Sequence, residues 1–591
     1  MSTIDQRLEA IRARMRAEKI DAWIVTGTDP HVSEYVASRW NTREWLSGFT
    51  GSAGTIVVTL DKALLWVDSR YYIQGAQQIE ESSYTLQRLE SPGVLNHVQW
   101  LAEHLPSGAR VGVEGQSITI AANRIVLKNF THKNISIVYT TDWFEDVWSD
   151  RPPIPAEKVT ALPLNVAGTS PIAKIEKIRE TYTGFGCTHT FISSLDDIAW
   201  ILNLRGSDIA FNPVFLSYLL IGSEEVVLFT DKRRLNREQM DALTEVLEVR
   251  EYEEVFSHLE KTFQDSSVLY LSPDKTNVRI QESIPSYVRI VEGRDISTDL
   301  KASKSPVEIE GMRRAHLLDG IAMVKFLATV SRQEKTYTEL TLAEELVRCR
   351  SEHPEYVGPS FSPIAGFGPH GALAHYSASE SSSVDLVGDG LLVLDTGGQY
   401  ATGTTDITRT LLFGEASKQM KQDYTLVLKG NLALAAQRFP VGTCGYQLDV
   451  LARQFLWQAG CSYGHGTGHG VGFCLNVHEG PQNISPKPLL VALKEGMILS
   501  DEPGIYREGV HGVRLENLVV VQPAITTEFG EFLAFDVLTL CPFERKLIDV
   551  SLLSKTEREM VDAYHGWVYS ELHDKLNVED AQWLREATLP L

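Results

Sequence analysis

The chain lacks the features that place a protein in a membrane or outside the cell. No apolar stretch runs for 18 residues without a charge, so no transmembrane helix is predicted. The N-terminal residues mix basic and acidic side chains and have no apolar signal-peptide core. We therefore expect a cytoplasmic protein with no membrane partner.

Basic residues are scarce compared with acidic ones. The 55 lysines and arginines stand against 77 aspartates and glutamates, which gives a net charge of −22. A nucleic-acid-binding surface needs a basic footprint, so no nucleic-acid partner is expected. The acidity by itself indicates only solubility.

Two further motifs are missing. The six cysteines contain no Cys-x-x-Cys pair, so they predict free thiols in a reducing compartment and exclude a disulfide framework or a thiolate zinc site. The glycine-rich segment 464–472 has no Gly-x-Gly-x-x-Gly register, and no Gly-Lys-Ser/Thr follows it. A nucleotide phosphate loop is therefore not expected there.

What is present is a long α/β chain. Its 591 residues are too many for one hydrophobic core, so several domains are expected. Helix and strand signals alternate over the first 300 residues, and the pattern of the first half recurs after a proline-rich linker at 151–171. We predict two related α/β domains at 1–160 and 161–303.

The C-terminal domain is predicted to span 304–591. Ser305, Pro306 and Glu308 form a helix start, with proline at the first helical position and an acid in the first turn. Residues 555–580 have the apolar spacing of a closing amphipathic helix.

Four acidic residues of this domain flank strand-like runs. Asp395 ends the run 391–394 and Asp406 precedes the run 410–413, while Glu502 lies in a turn and Glu516 on an alternating stretch, 512–519. Paired strands place such side chains close together. Four carboxylates in one place repel each other and protonate unless a cation neutralises them.

An imidazole completes this candidate metal site. His469 lies in the glycine-rich segment, and four carboxylates with one imidazole suit Mn²⁺, Co²⁺ or Zn²⁺ better than calcium. Two such ions could share bridging carboxylates. Each residue taken alone is also compatible with an ordinary turn.

The five residues match, in order and local context, the dinuclear metal ligands of the pita-bread peptidases. The segment 468–481 resembles the three-domain, cytosolic type of aminopeptidase P, or Xaa-Pro aminopeptidase. Segments 45–54, 68–72 and 196–206 resemble the first two domains of that family. The resemblance covers essentially the whole chain and departs from the family at no metal position.

The resemblance implies two creatinase-N-like α/β domains followed by a pita-bread catalytic domain. It implies two divalent ions per chain, Mn²⁺ first with Zn²⁺ or Co²⁺ as alternatives. Asp395 would bind one ion, His469 and Glu502 the other, and Asp406 and Glu516 would bridge them. A hydroxide between the ions would attack peptides with proline at position 2 and release the first residue. A homodimer is also implied.

Further residues take roles from the same resemblance. His375, His465 and His478 match the family's three non-ligand histidines, which hydrogen-bond the scissile carbonyl and its developing negative charge. Glu502 would double as a proton shuttle. Arg514, predicted to share a strand face with Glu516, would fix a ligand carboxylate; the alternative is a surface charge pair.

Three alternatives stay open from the sequence. The nearest is prolidase, which cleaves Xaa-Pro dipeptides. The others are non-catalytic pita-bread relatives that bind peptides or histones and creatinase-like hydrolases without metal. These last two lack some of the five ligands, all of which are present here.

Overall fold

The computed structural model describes residues 2–332 and 335–591. They form two compact units: Met1–Leu162 with Thr169–Thr298, and Pro163–Gly168 with Asp299–Leu591. Of the helices in the described residues, none combines the length and the apolar character that crossing a bilayer requires.

The N-terminal unit contains two six-stranded sheets. The first has the order β4-β3-β2-β1-β5-β6. Its elements are α1 Thr3–Glu18, β1 Ala22–Val25, α2 Thr42–Ser47, β2 Thr55–Thr59, β3 Ala63–Val67, α3 Tyr72–Gln78, β4 Tyr84–Arg88, α4 His97–His104, β5 Arg110–Glu114, α5 Ile120–Phe130, β6 Ser136–Thr140 and α6 Phe144–Val147.

The second sheet has the order β12-β11-β10-β8-β13-β14, while β7 pairs with β9 separately. The elements of this stretch are β7 Thr160–Ala161, α7 Leu164–Ala167 (part of the C-terminal unit), α8 Pro171–Gly184, β8 His189–Ile192, α9 Leu195–Leu202, β9 Leu204–Arg205, β10 Tyr218–Gly222, β11 Val226–Phe229, α10 Arg237–Thr244, β12 Glu248–Arg250, α11 Glu254–Thr262, β13 Val268–Leu271, α12 Val278–Glu282, β14 Arg289–Glu292 and α13 Ile296–Ala302.

The two sheets repeat one topology. In the first, β1 pairs antiparallel with β2 and parallel with β5; in the second, β8 pairs antiparallel with β10 and parallel with β13. The outer pairs β3–β4 and β5–β6 are parallel, as are β11–β12 and β13–β14. The recurrence seen in the sequence is thus a recurrence of strand order and direction.

The C-terminal unit is built from long helices packed around antiparallel sheets. Its remaining elements are α14 Pro306–Ser331, α15 Glu339–Ser351, β15 Tyr356–Pro359, β16 Ile364–Phe367, β17 Gly390–Thr396, β18 Gly398–Tyr400, β19 Gly403–Thr404, β20 Ile407–Phe413, α16 Lys418–Ala435, β21 Arg438–Pro440, α17 Gly445–Gln458, β22 Gly468–Gly470, β23 Glu479–Ile484, β24 Ile498–Asp501, β25 Gly504–Arg507, β26 His511–Arg514, β27 Asn517–Thr527, β28 Gly530–Val537, α18 Lys555–Leu572 and α19 Val578–Ala587.

Local signals explain where α14 begins. Ser305 is its N-cap and accepts a bond from the Glu308 backbone N–H, while the Glu308 carboxylate accepts from the Ser305 backbone N–H. This reciprocal capping box satisfies two otherwise unpaired donors, and Pro306 occupies the first turn, where its missing N–H costs nothing. The predicted helix start is confirmed.

Two predicted elements are wrong in their extent. The stretch 512–519 is two strands: β26 pairs with β25, and β27 pairs with β24 in another sheet. Glu516 lies between them because its backbone N–H donates to the Thr408 carbonyl as the chain crosses over. The helix predicted over 555–580 ends at Leu572, and Asn577 caps a new helix by accepting from the Asp580 backbone N–H.

Candidate metal centre

Antiparallel pairing brings the four acidic residues to one place. In the β17–β20 pair Asp395 lies opposite Thr408, and Asp406 immediately precedes β20. In the β24–β27 pair Asp501 lies opposite Asn517, so Glu502 and Glu516 follow and precede the last paired residues. Asp395 and Asp406 thus stand where one strand ends and another begins, as the sequence predicted, whereas Glu516, predicted within the stretch 512–519, stands just before β27.

The side chains converge around the His469 imidazole. His469 Nε2 lies 3.4 Å from Asp406 Oδ2 and 3.6 Å from Glu502 Oε1. One ligand atom each from Asp406, His469 and Glu516 lie within 4.8 Å of one another. These distances suit a shared cation.

Hydrogen bonds fix which nitrogen of His469 faces the carboxylates. His469 Nδ1 is 2.9 Å from the Gly470 carbonyl oxygen, which can only accept, so Nδ1–H donates. That leaves Nε2 toward Asp406 and Glu502. A carbonyl partner on the far nitrogen is the usual way to orient a metal-binding imidazole.

The Asp395 carboxylate is held by Arg514. Nη2 of Arg514 donates to Asp395 Oδ2 at 2.6 Å, and Nε donates to Thr408 Oγ1 at 3.2 Å. Thr408 in turn donates to Glu516 Oε2 at 2.8 Å. Arg514 is 3% exposed, so it is no surface charge pair. It reaches Glu516 through Thr408 and not through a shared strand.

The three non-ligand histidines lie at different distances from this centre. His478 packs edge-on against His469, with ring centroids 4.3 Å apart. His465 Nε2 is 2.8 Å from the Tyr506 hydroxyl, which accepts from Arg514 Nη1 at 2.6 Å. His375 is half-buried, and the carbonyl of its neighbour Ala374 accepts from Arg514 Nη1 at 3.2 Å.

Sequence reasoning missed Tyr506 and Thr408. Thr408 follows Asp406 by two residues at the start of β20, a spacing that could have marked it. Tyr506 lies on β25 opposite Gly512 of β26, and its contact with His465 crosses between distant segments. No local signal in the sequence indicates that contact.

Burial and mutual repulsion shift the pKa values of the centre. Burial, only partly offset by His469 and Arg514, raises the pKa of Glu502 to about 7. Burial and the neighbouring Asp406 raise the pKa of Glu516 well above its usual range. Burial alone would lower the pKa of His469, but the bond to Asp406 and the charge of Glu502 raise it to about 9. Without a cation, protons must hold these groups together.

The residues fit a divalent metal pair. Asp395 Oδ1 and Asp406 Oδ1 are both buried without a hydrogen-bond partner among the described residues. Buried carboxylate oxygens are costly without a partner, and metal coordination is one way to provide it. Carboxylate oxygens with one imidazole are a donor set for Mn²⁺, Zn²⁺ or Co²⁺.

Comparison with known protein families identifies the class of this chain. Residues 310–523 match metallopeptidase family M24, and residues 531–591 match the C-terminal region of that peptidase family. Residues 7–145 and 150–308 each match the creatinase/prolidase N-terminal domain. The fold is thus two creatinase-type α/β domains followed by a pita-bread domain. The boundaries at 160/161 and 303/304 stay predictions.

Individual relatives narrow the class. The chain is 37% identical over 618 residues to a probable Xaa-Pro aminopeptidase P of Coprinopsis cinerea, covering 100% of this chain and 99% of the relative. It is 35% identical to Xaa-Pro aminopeptidase 1 of Dictyostelium discoideum, covering 100% and 97%.

A solved structure agrees. X-prolyl aminopeptidase from Caenorhabditis elegans, described as a cytosolic enzyme with a di-nuclear active site, superposes with a TM-score of 0.96 at 33% identity, covering 100% of both chains. The chain belongs to the Xaa-Pro aminopeptidase P family within the M24 metallopeptidases.

Proposed function

We propose that this protein is a metal-dependent aminopeptidase that releases the N-terminal residue from peptides with proline at position 2. The observation that carries the proposal is the cluster of Asp406, His469 and Glu516, whose ligand atoms lie within 4.8 Å of one another, with Glu502 3.6 Å from His469 and buried carboxylate oxygens of Asp395 and Asp406 unpartnered among the described residues. It stands in a chain similar over its full length to Xaa-Pro aminopeptidases.

The five donors are assigned as the sequence resemblance implies. Asp395 would hold one ion, His469 and Glu502 would hold the other, and Asp406 and Glu516 would serve both. The metals are two divalent ions per chain, Mn²⁺ first with Zn²⁺ and Co²⁺ as alternatives. Such a pair would lower the pKa of a shared water and polarise the scissile carbonyl.

The chain's own residues handle protons and orientation. By the resemblance, Glu502 also takes a proton from the attacking water and returns it to the departing proline nitrogen. His478, beside His469, and His465, beside Tyr506, offer N–H groups to the substrate carbonyl, with His375 as the third donor. Arg514 holds Asp395 in place.

The test of this function compares peptide lengths in the presence of Mn²⁺. Release of the first residue from an Arg-Pro-Pro peptide supports the proposal, whereas cleavage of Xaa-Pro dipeptides alone indicates prolidase. Metal analysis of the same active preparation should give two divalent ions per chain, with activity lost to a chelator. An active preparation holding under about half an equivalent of metal contradicts the two-ion site.

We also propose a cytoplasmic homodimer. All six cysteines are free, as suits a reducing compartment. On α17, Val450 and Trp457 are exposed and seven residues apart, so they share one apolar helix face. Light scattering should give twice the chain mass, and Val450→Lys with Trp457→Lys should give the single-chain mass. A wild-type protein of single-chain mass at all concentrations contradicts the dimer.

A further inference from the structure

Two buried arginine–aspartate pairs stand behind opposite ends of the metal centre. One pair is Arg453 with Asp449, both on α17 and 3% and 2% exposed. The other is Arg350 on α15 with Asp319 on α14, 0% and 3% exposed. Burying these charges costs desolvation free energy, which their hydrogen bonds must offset. The partners of those bonds show which segments each pair holds in place.

The Arg453 pair clamps the loop that carries His465 and His469. Arg453 donates from Nε to Asp449 Oδ2 at 2.6 Å, from Nη1 to the Tyr463 carbonyl at 2.8 Å, and from Nη2 to the His465 carbonyl at 2.7 Å. All three of its donor atoms are therefore in use, in the fork geometry that only arginine provides.

The same clamp reaches Glu502. Asp449 Oδ1 accepts from Thr467 Oγ1 at 2.7 Å, and the Tyr463 hydroxyl lies 2.6 Å from that Oγ1. The Thr467 carbonyl accepts from the Glu502 backbone N–H at 2.8 Å. His469 follows Thr467 by two residues, so both ligands proposed for one ion depend on this loop.

The Arg350 pair holds the backbone next to Asp395. Arg350 Nε donates to Asp319 Oδ1 at 2.7 Å, and Nη1 donates to Thr396 Oγ1 at 2.6 Å and to the Gly397 carbonyl at 3.0 Å. Thr396 directly follows Asp395. In the part of the chain that the structure describes, neither pair touches the side chain of a proposed ligand.

We propose that the two pairs are positioning residues, each for a different ion. Arg453–Asp449 sets the geometry of the ion held by His469 and Glu502, and Arg350–Asp319 sets that of the ion held by Asp395. The proposal rests on the proposed two-ion site. Loss of either guanidinium should therefore weaken the binding of one ion and leave the binding of the other unchanged.

Lysine substitutions separate positioning from folding. Arg453→Lys and Arg350→Lys keep the buried positive charge but replace the fork with a point charge. Methionine at either position leaves an unpaired buried aspartate and is expected to lower the melting temperature much more. The lysine variants should therefore keep a melting temperature near that of the wild type, because they keep the buried charge. They should still lose Mn²⁺ affinity, because they lack the guanidinium fork.

The measurement is Mn²⁺ binding by equilibrium dialysis, with paramagnetic resonance to distinguish a coupled Mn²⁺ pair from a single ion. In Arg453→Lys one ion should bind as in the wild type and the other about 10–100-fold more weakly. The His469→Ala background, in which we expect only the Asp395 ion to stay bound, identifies the affected site. There Arg350→Lys should weaken the remaining ion, and Arg453→Lys should leave it unchanged.

Two results overturn the proposal. One is wild-type affinity for both ions in Arg453→Lys; the other is equal weakening of the remaining ion by both lysine variants in the His469→Ala background. If Arg453→Lys does not fold, Thr467→Val removes the hydrogen bonds of the Thr467 hydroxyl to Asp449 and Tyr463 and keeps Arg453, and it should show the same selectivity in milder form. A wild-type protein that binds no Mn²⁺ contradicts the proposed function instead.

Discussion

The two ends of the metal centre balance their charge in different ways. At the Asp395 end a buried arginine, Arg514, donates directly to the carboxylate. At the other end the group facing the carboxylates is the His469 imidazole, whose Nε2 lies 3.4 Å from Asp406 Oδ2 and 3.6 Å from Glu502 Oε1. One end carries a permanent cation and the other a titratable one. The carboxylates at the imidazole end therefore depend more on a bound metal ion to balance their charge.

The largest effect is expected where the two ends meet, at the proposed bridge Asp406. Asp406→Ala removes a ligand common to both ions, so at least one ion should be lost and kcat should fall roughly 10³-fold or more. Metal analysis and turnover on one Xaa-Pro-Pro peptide check this. Full activity would show that Asp406 is only a turn residue.

His478→Ala tests the imidazole end without touching a proposed ligand. We expect both ions to stay bound and the fold to persist, because His478 packs against His469 and is not itself a proposed ligand. Loss of one donor to a developing oxyanion typically costs about 2.7–4 kcal/mol, or roughly 10²–10³ in kcat.

Metal content, melting temperature and kcat of His478→Ala are measured on one preparation. Collapse of the metal content means that the ligand assignment is wrong. Unchanged turnover together with a lower melting temperature means that His478 only packs the loop.

Arg514→Lys tests the end that has its own cation. Lysine keeps the charge but cannot reach Asp395, Thr408, Tyr506 and the Ala374 carbonyl together, as Arg514 does. Metal affinity or activity should fall about 10–100-fold. The matched control is Arg313→Lys, in the surface pair with Asp536, which should change neither. Equal effects in the two variants would show that Arg514 does not hold the Asp395 carboxylate for metal binding.

Much of this centre could be read from the sequence because it depends on local patterns. Asp395 and Asp406 adjoin apolar strands, and β-pairing brings strand ends together without further information. The repeated N-terminal topology was likewise visible as a repeated order of helix and strand signals. The start of α14 followed from its capping residues.

What the sequence could not provide are contacts between distant segments. Arg514 and Asp395 are 119 residues apart, and Arg350 and Asp319 are 31 apart. The period-2 pattern of 512–519 continued across a crossover between sheets, because both flanking strands are buried. A buried polar residue shows its partner only once the packing is known.

The smallest expected effect is a pH dependence in the metal-free protein. Burial raises the pKa of Glu502 to about 7, and the bond to Asp406 with the charge of Glu502 outweighs burial to raise that of His469 to about 9. Both folded-state pKa values lie above the ordinary values of 4.5 for glutamate and 6.5 for histidine. Each group therefore contributes stability that is complete below its unfolded pKa and is lost as pH rises through the folded pKa.

Bound Mn²⁺ replaces the protons on Glu502 and His469. Its contribution to stability should therefore grow as the pH rises and those protons dissociate. The gap in melting temperature between Mn²⁺-loaded and chelator-treated protein should be wider at about pH 8 than at about pH 6. Glu502→Gln, which removes one of the titrating groups, should narrow that difference, whereas the surface control Arg313→Lys should leave it unchanged. A gap that is equal at both pH values, or wider at the lower one, would mean that protons do not stand in for the metal at the imidazole end.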